Sequence, residues 1–250
     1  MVFLNMWKQI ITFLLVATWS VMALAGPVLT VVTEDFAPYS YVECGRITGY
    51  STELVETSLR RTKAGYSIHI YPWARAFRMA RSQPNVLIFS VVRTPEREHQ
   101  LQWIAPIAPR SVYVYKLAAR RDVQVRALAD LGRYRVAATR GDVVEEQLHA
   151  LGLEADLATL DESNLRKMVA GRVDLMVASE LSMKAICHNA HVSCGLLERT
   201  IAMPGVGEYY VAASLGTPAA TVRALRDEFA KMKASSFMQQ TADKYGLSLR

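Results

Sequence analysis

The stretch Val86-Leu87-Ile88-Phe89-Ser90-Val91-Val92-Arg93-Thr94-Pro95-Glu96-Arg97 organises the rest of the chain. Val86 to Val92 is apolar at every position but Ser90, which reads as a buried strand. Thr94 suits a helix N-cap and Pro95 the first helical position, so a helical turn starts there and ends in Arg97. Upstream, Val28 to Thr33 and Tyr66 to Tyr71 read as strands, and Thr48 to Lys63 and Trp73 to Arg81 as helices. Downstream strands are expected at Ser111 to Leu117, Arg135 to Thr139, Leu153 to Leu157 and Val173 to Ala178. Two more follow at Leu196 to Ile201 and Tyr209 to Ala213. Helices are expected at Val123 to Leu131, from Gly141-Asp142 onward, at Glu162 to Ala170 and at Glu180 to His188. Asp142 is placed to cap and Glu145 to reach back in a capping box. Thr217-Pro218 opens a helical region that runs to Lys244. This alternation predicts an α/β protein with mainly parallel sheets.

The whole chain has 250 residues, 51% of them apolar and 21% charged. That excludes a disordered, collagenous or low-complexity protein. The length allows one large domain or two small ones. Ile10 to Leu24 is almost wholly apolar, Lys8 is the charge before it, and Ala23-Leu24-Ala25 precedes Gly26. This reads as a secretory signal peptide cleaved after Ala25. A membrane anchor is less consistent, because the run is short and no basic cluster follows. No Cys stands at the cleavage point, so no lipid anchor is expected. The formal charge of +6 loses one Lys and no acid with the signal, leaving +5. The basic residues are scattered among acids, so the exported chain is not read as a nucleic-acid binder. The mature part has no other long apolar run and reads as a soluble exported protein without stable membrane insertion.

Several stretches together resemble one family. They are Thr33-Glu34-Asp35-Phe36-Ala37-Pro38-Tyr39, Thr48-Gly49-Tyr50, Tyr71-Pro72-Trp73-Ala74-Arg75-Ala76, Ser90 to Arg97, Val136 to Gly141 and Gly171-Arg172-Val173-Asp174. Their order is similar to that of bacterial extracellular solute-binding proteins of family 3, the polar amino acid type with the type II periplasmic fold. The resemblance covers nearly all of the mature chain. It implies two α/β lobes, each a mainly parallel sheet flanked by helices, joined by two hinge crossings. Lobe 1 would be residues 26–107 plus 211–250 and lobe 2 residues 108–210, with crossings near 107–112 and 206–210. A small ligand would sit between the lobes, which close on it.

The resemblance also nominates ligand-binding residues. Arg97 matches the arginine that pairs with the ligand α-carboxylate in relatives, and a guanidinium fork suits that task. A surface arginine is its plainer alternative. Trp73 stands where relatives place a stacking aromatic, and core packing is the competing role. Arg75 is a candidate for an anionic ligand group or for pairing with Glu34. Phe36, Tyr39 and Tyr41 form an aromatic wall, and Ser90 belongs to the signature stretch. Glu34 is the acid nearest that wall, suited to a ligand ammonium or to neutralising Arg75 or Arg97. In the second lobe, Arg140 and Gly141 precede a helix start that favours an anion. Ser179, with Glu180 next to it, replaces the aspartate that takes the α-ammonium in amino acid binders. Val92 stands where many relatives carry a hydroxyl.

Cys187 and Cys194 bracket a loop containing His188 and His191. In an exported chain a disulfide is the favoured reading; free thiols and a metal cluster remain open, although zinc-type C-x₂₋₄-C spacing is absent. Cys44 would be the odd thiol. Neither a metal nor a cofactor is expected, and no catalytic motif is found. The resemblance implies a periplasmic, monomeric binding protein. It would deliver a carboxylate-bearing or amino acid-like ligand to an inner-membrane ABC-type permease. Two alternatives stand beside it: a cyclohexadienyl dehydratase-like enzyme on the same fold, and a ligand-sensing accessory protein.

Overall fold

The computed structural model describes residues 28–205 and 207–249. The expected signal peptide and residues 26, 27, 206 and 250 lie outside the described residues.

Among the described residues the strands are β1 (Leu29–Thr33), β2 (Tyr41–Glu43), β3 (Arg46–Thr48), β4 (Tyr66–Ile70), β5 (Val86–Val92), β6 (Leu101–Pro109), β7 (Val112–Leu117), β8 (Val136–Thr139), β9 (Asp156–Ala158), β10 (Leu175–Ser179), β11 (Leu197–Ala202) and β12 (Glu208–Ser214). The helices are α1 (Tyr50–Arg61), α2 (Trp73–Ser82), α3 (Val143–Ala150), α4 (Asp161–Val169), α5 (Met183–Ala190), α6 (Ala219–Ala234) and α7 (Phe237–Lys244).

Two five-stranded sheets result, ordered β4-β1-β5-β12-β6 and β11-β7-β10-β8-β9. β5 is buried at all seven positions, as its apolar run requires. Leu87 and Phe89 face α1 and α6 together with Leu54, Leu225 and Phe229. Ile88 points to the other face, with Phe77, Trp103 and Val32. The second sheet repeats this two-sided burial: Val114, Leu148 and Leu175 pack on one face, and Tyr115, Leu165, Met176 and Ile186 on the other.

Parallel pairing is confined to half of each sheet. β1 pairs in parallel with β4 and β5, while β12 is antiparallel to both β5 and β6. β8 is parallel to β9 and β10, while β7 is antiparallel to both β10 and β11. The sheets are therefore mixed: the strand that enters each sheet from a crossing, β12 or β7, runs against the helix-connected ones, while β6 and β11, which lead out, run with them. At those crossings the two chain segments lie side by side, and the Arg110 N–H donates to the Gly207 carbonyl at 3.2 Å.

Some elements differ from the sequence expectation. β6 was not anticipated, since Pro106 and Pro109 argue against a strand; it lies at a sheet edge and pairs only with β12, where a missing N–H is tolerated. The helix expected at Val123 to Leu131 is only a 3₁₀ turn at Leu128–Arg133. The Asp130 carboxylate accepts from the Arg126 and Ala127 N–H groups at 2.9 and 3.0 Å, which holds the preceding segment outside the helix. The β2–β3 hairpin turns on Cys44 and Gly45, both at positive φ as a two-residue turn requires. The C-terminal helical region splits into α6 and α7 at Ser235-Ser236.

Candidate functional site

The carboxyl ends of the parallel strands of both sheets point into one region, where open α/β sheets place ligands. Glu34 follows β1, Ser90 lies in β5, Thr139 ends β8 and Ser179 ends β10. Together with Phe36, Trp73, Arg110, Asp142, Asp161 and Tyr209 they line an enclosed cavity of about 30 Å³ between the sheets. That is the volume of roughly one water-sized group.

Local structure aims each side chain. Ser90 has φ of +60° inside a strand, a left-handed conformation uncommon for residues other than glycine. Opposite it, the pairing of β12 slips between Tyr210 and Val211, which face Val91 and Phe89, so Ser90 is the extra residue of a bulge. Asp142 caps α3, its carboxylate accepting from the Val144 N–H at 3.4 Å. Glu145 reaches back as the capping-box pattern suggested, but to the Gly141 N–H. Asp161 opens α4; its carboxylate accepts from the Thr139 hydroxyl, which in turn accepts from Asn164 Nδ2 at 3.3 Å. Phe36, Tyr39 and Tyr209 form a wall with ring centroids 4.9 to 5.4 Å apart.

The cavity is acidic. Burial pushes the Glu34 carboxyl well above its ordinary value, and the negative charges of Asp142, Asp161 and Asp35 add to the shift. Burial likewise pushes Asp161 up to about 6, opposed by the Thr139 hydrogen bond. Against these acids stands Arg110, which also acts on the Tyr209 phenol. Neither Glu34 nor Arg110 has an ion-pair partner among the described residues. The Ser90 and Ser179 side chains are 4% and 5% exposed, and their hydroxyls have no hydrogen-bond partner among the described residues. Such a combination stabilises a small positively charged donor.

Of the residues singled out from sequence, Glu34, Phe36, Trp73, Ser90 and Ser179 line this cavity, and Tyr39 stacks behind Phe36. Four others do not. Arg97 is 1% exposed, yet its guanidinium is engaged elsewhere: it pairs with Glu146 on α3 at 2.8 Å and donates to the Gly141 carbonyl at 3.2 Å. It also lies 4.6 Å over the Phe77 ring. Arg75 sits 4.1 Å over Tyr71, Arg140 is exposed, and Glu180 pairs with Arg199. Gly141 contributes its carbonyl, which accepts from Trp73 Nε1 at 2.8 Å. Cys187 and Cys194 are joined in a disulfide, and Cys44 is an exposed thiol. No metal-holding group of His, Cys, Asp or Glu occurs among the described residues.

Sequence reading took Asp142 for a cap alone and passed over Arg110, Thr139, Asp161 and Tyr209. A usable signal existed for two of them. Arg110 falls inside the expected first crossing, and Asp161 stands where the next helix begins, a position that favours an acid.

The family model for bacterial extracellular solute-binding proteins, family 3, matches residues 29–248. No curated protein matches the chain by sequence. Among solved structures, a histidine kinase sensor domain with similarity to periplasmic binding proteins aligns with TM-score 0.79 and 18% identity, over 88% of this chain and 96% of its own. An ancestral arginine-binding protein bound to arginine gives TM-score 0.76 and 15% identity, over 88% and 99%. The substrate-binding protein of an amino acid ABC transporter gives 0.74 and 16%, over 88% and 99%. At these identities the structures speak for the fold: a two-lobed periplasmic binding architecture. With the family model spanning both sheets and every strand that lines the cavity, the chain belongs to the bacterial extracellular solute-binding proteins, family 3.

Proposed function

We propose that the protein is exported to the periplasm and captures a small solute bearing an ammonium group. Its two sheets act as lobes that hinge where Arg110 and Gly207 lie side by side. The observation that carries this reading is the cavity itself, in which three carboxylates and two unpartnered serine hydroxyls surround a volume fit for one ammonium. An ammonium offers three donors and one charge, which Glu34, Asp142, Asp161, Ser90 and Ser179 are chemically suited to accept. Arg110 is the group suited to a ligand carboxylate, and Phe36 and Trp73 supply apolar walls. Affinity then comes from hydrogen bonding and charge in a closed cleft, with no covalent step. Among the described residues no helix is long and apolar enough to cross a membrane, so delivery calls for a separate membrane partner such as an ABC-type permease.

The test is thermal unfolding with a panel of amino acids and their desamino counterparts. A ligand bound only by the folded state raises the midpoint. Amines are expected to raise it and the desamino acids to leave it unchanged; a panel without any shift would overturn the capture reading. The fold match to a sensor domain supports a second role, in which closure signals to a kinase and no solute is moved. Solute uptake in cells carrying and lacking the gene separates the two.

A further inference from the structure

Two pairs of neighbouring acids meet at the inner cavity from opposite lobes: Glu34-Asp35 after β1, and Asp161-Glu162 at the start of α4. Glu34 and Asp161 line the cavity together with Asp142. Asp35 and Glu162 stand one peptide further along, about 4 Å away at Cα. Asp35 is exposed and Glu162 half-buried, so the second members of the pairs form its rim. Partial desolvation raises the Asp35 carboxyl, and the negative charge of Glu162 raises it further, as for two acids that share one space. None of these five acids has an ion-pair partner among the described residues.

Among the lining residues only Arg110 opposes them. Three lining carboxylates against one guanidinium leave two negative charges when ionised, so a single ammonium does not balance the cavity. Arg97, a buried guanidinium, is held by Glu146 and does not line it. The Ser90 and Ser179 hydroxyls, in residues 4% and 5% exposed, line the cavity unpartnered and add neutral acceptors.

Resting on the capture reading above, we propose that the solute is a linear diamine without a carboxylate. One ammonium occupies the inner cavity among Glu34, Asp142, Asp161, Ser90 and Ser179. The second lies at the rim between Asp35 and Glu162, and the aliphatic spacer runs along Phe36, which follows Asp35 and lines the cavity. Arg110 can meet one carboxylate, but a solute that brings one adds to a negative excess that a second ammonium removes.

Calorimetric titration with ethylenediamine, 1,3-diaminopropane, 1,4-diaminobutane and 1,5-diaminopentane tests this, with butylamine as the single-charge control. Ornithine, which is 1,4-diaminobutane with a carboxylate added, measures what Arg110 contributes. The best diamine is expected to bind about tenfold or more tighter than butylamine, and ornithine more weakly than 1,4-diaminobutane. In the double variant Asp35→Asn, Glu162→Gln the ratio of diamine to butylamine affinity is expected to fall close to one; its melting midpoint, compared with that of the parent protein, shows that it folds. Butylamine binding as tightly as every diamine overturns the rim subsite and leaves the capture reading standing. An unchanged ratio in the double variant does the same. Ornithine binding more tightly than 1,4-diaminobutane overturns the diamine assignment alone. Failure of every compound, butylamine and ornithine included, overturns both.

Discussion

Asp161 is an acid held where its charge is costly, and that sets a pH dependence with two signs. Its carboxyl is pushed from 3.8 up to about 6, so the folded chain keeps a proton that the unfolded chain releases. Stability of the ligand-free protein therefore falls as pH rises from about 4 through 6 and then levels. Asp161→Asn keeps the oxygen that accepts from Thr139 and removes the charge. It is expected to raise the melting midpoint at pH 7 by a few degrees, with the gap closing below pH 4. Ligand affinity should move the opposite way. Amine binding strengthens between pH 5 and 7 as Asp161 ionises, and Asp161→Asn weakens it roughly 10- to 100-fold at pH 7 by calorimetry. At this scale the sequence was half readable. Glu34, Phe36 and Ser90 follow or belong to strands whose apolar runs are plain, so their position near the cleft follows from local pattern and from the family resemblance. Asp161 and Arg110 are about 50 residues apart, and only the tertiary fold sets them in one cavity. The turning outward of Glu180 is equally invisible, because it depends on Arg199 on a different strand.

Between elements, α2 and the turn after β5 are tied to α3. Trp73 Nε1 holds the Gly141 carbonyl, and Arg97 holds both that carbonyl and Glu146. Arg97, the arginine nominated for a ligand carboxylate, links these elements in the ligand-free chain through Glu146 and the Gly141 carbonyl, while its Nη1 is buried without a partner among the described residues. Glu146→Ala leaves Arg97 buried without its carboxylate. Its expected result is a larger radius of gyration in ligand-free small-angle scattering with an unchanged circular dichroism spectrum; an unchanged radius would show that the tie does not hold the lobes together. The disulfide closes a loop of seven residues' separation at the end of α5. Replacing both cysteines by alanine is expected to cost about 2 kcal/mol in urea unfolding. Helices and central strands were legible because their apolar periodicity is their cause of folding. β6 was not, since edge position excuses prolines that a central strand would reject.

At the level of the whole molecule, the two sheets present acids from both sides of one cavity: Glu34 from the first, Asp142 and Asp161 from the second. Approach of the lobes buries these acids together, which disfavours their ionised forms, and a ligand ammonium offsets that cost. Ligand is thus expected to compact the protein: the radius of gyration should fall when an amine binds and stay put with its desamino counterpart. The order of strands in the first sheet has a consequence in time. β12 lies between β5 and β6, so that sheet is complete only when residues beyond 207 are available. The second sheet needs only residues 112 to 202. A chain emerging from its amino end therefore finishes its middle before its beginning, against the usual amino-first order. Until the last forty residues arrive, β5 and β6 lack the strand between them, and the apolar run from Val86 to Val92 waits with one edge open.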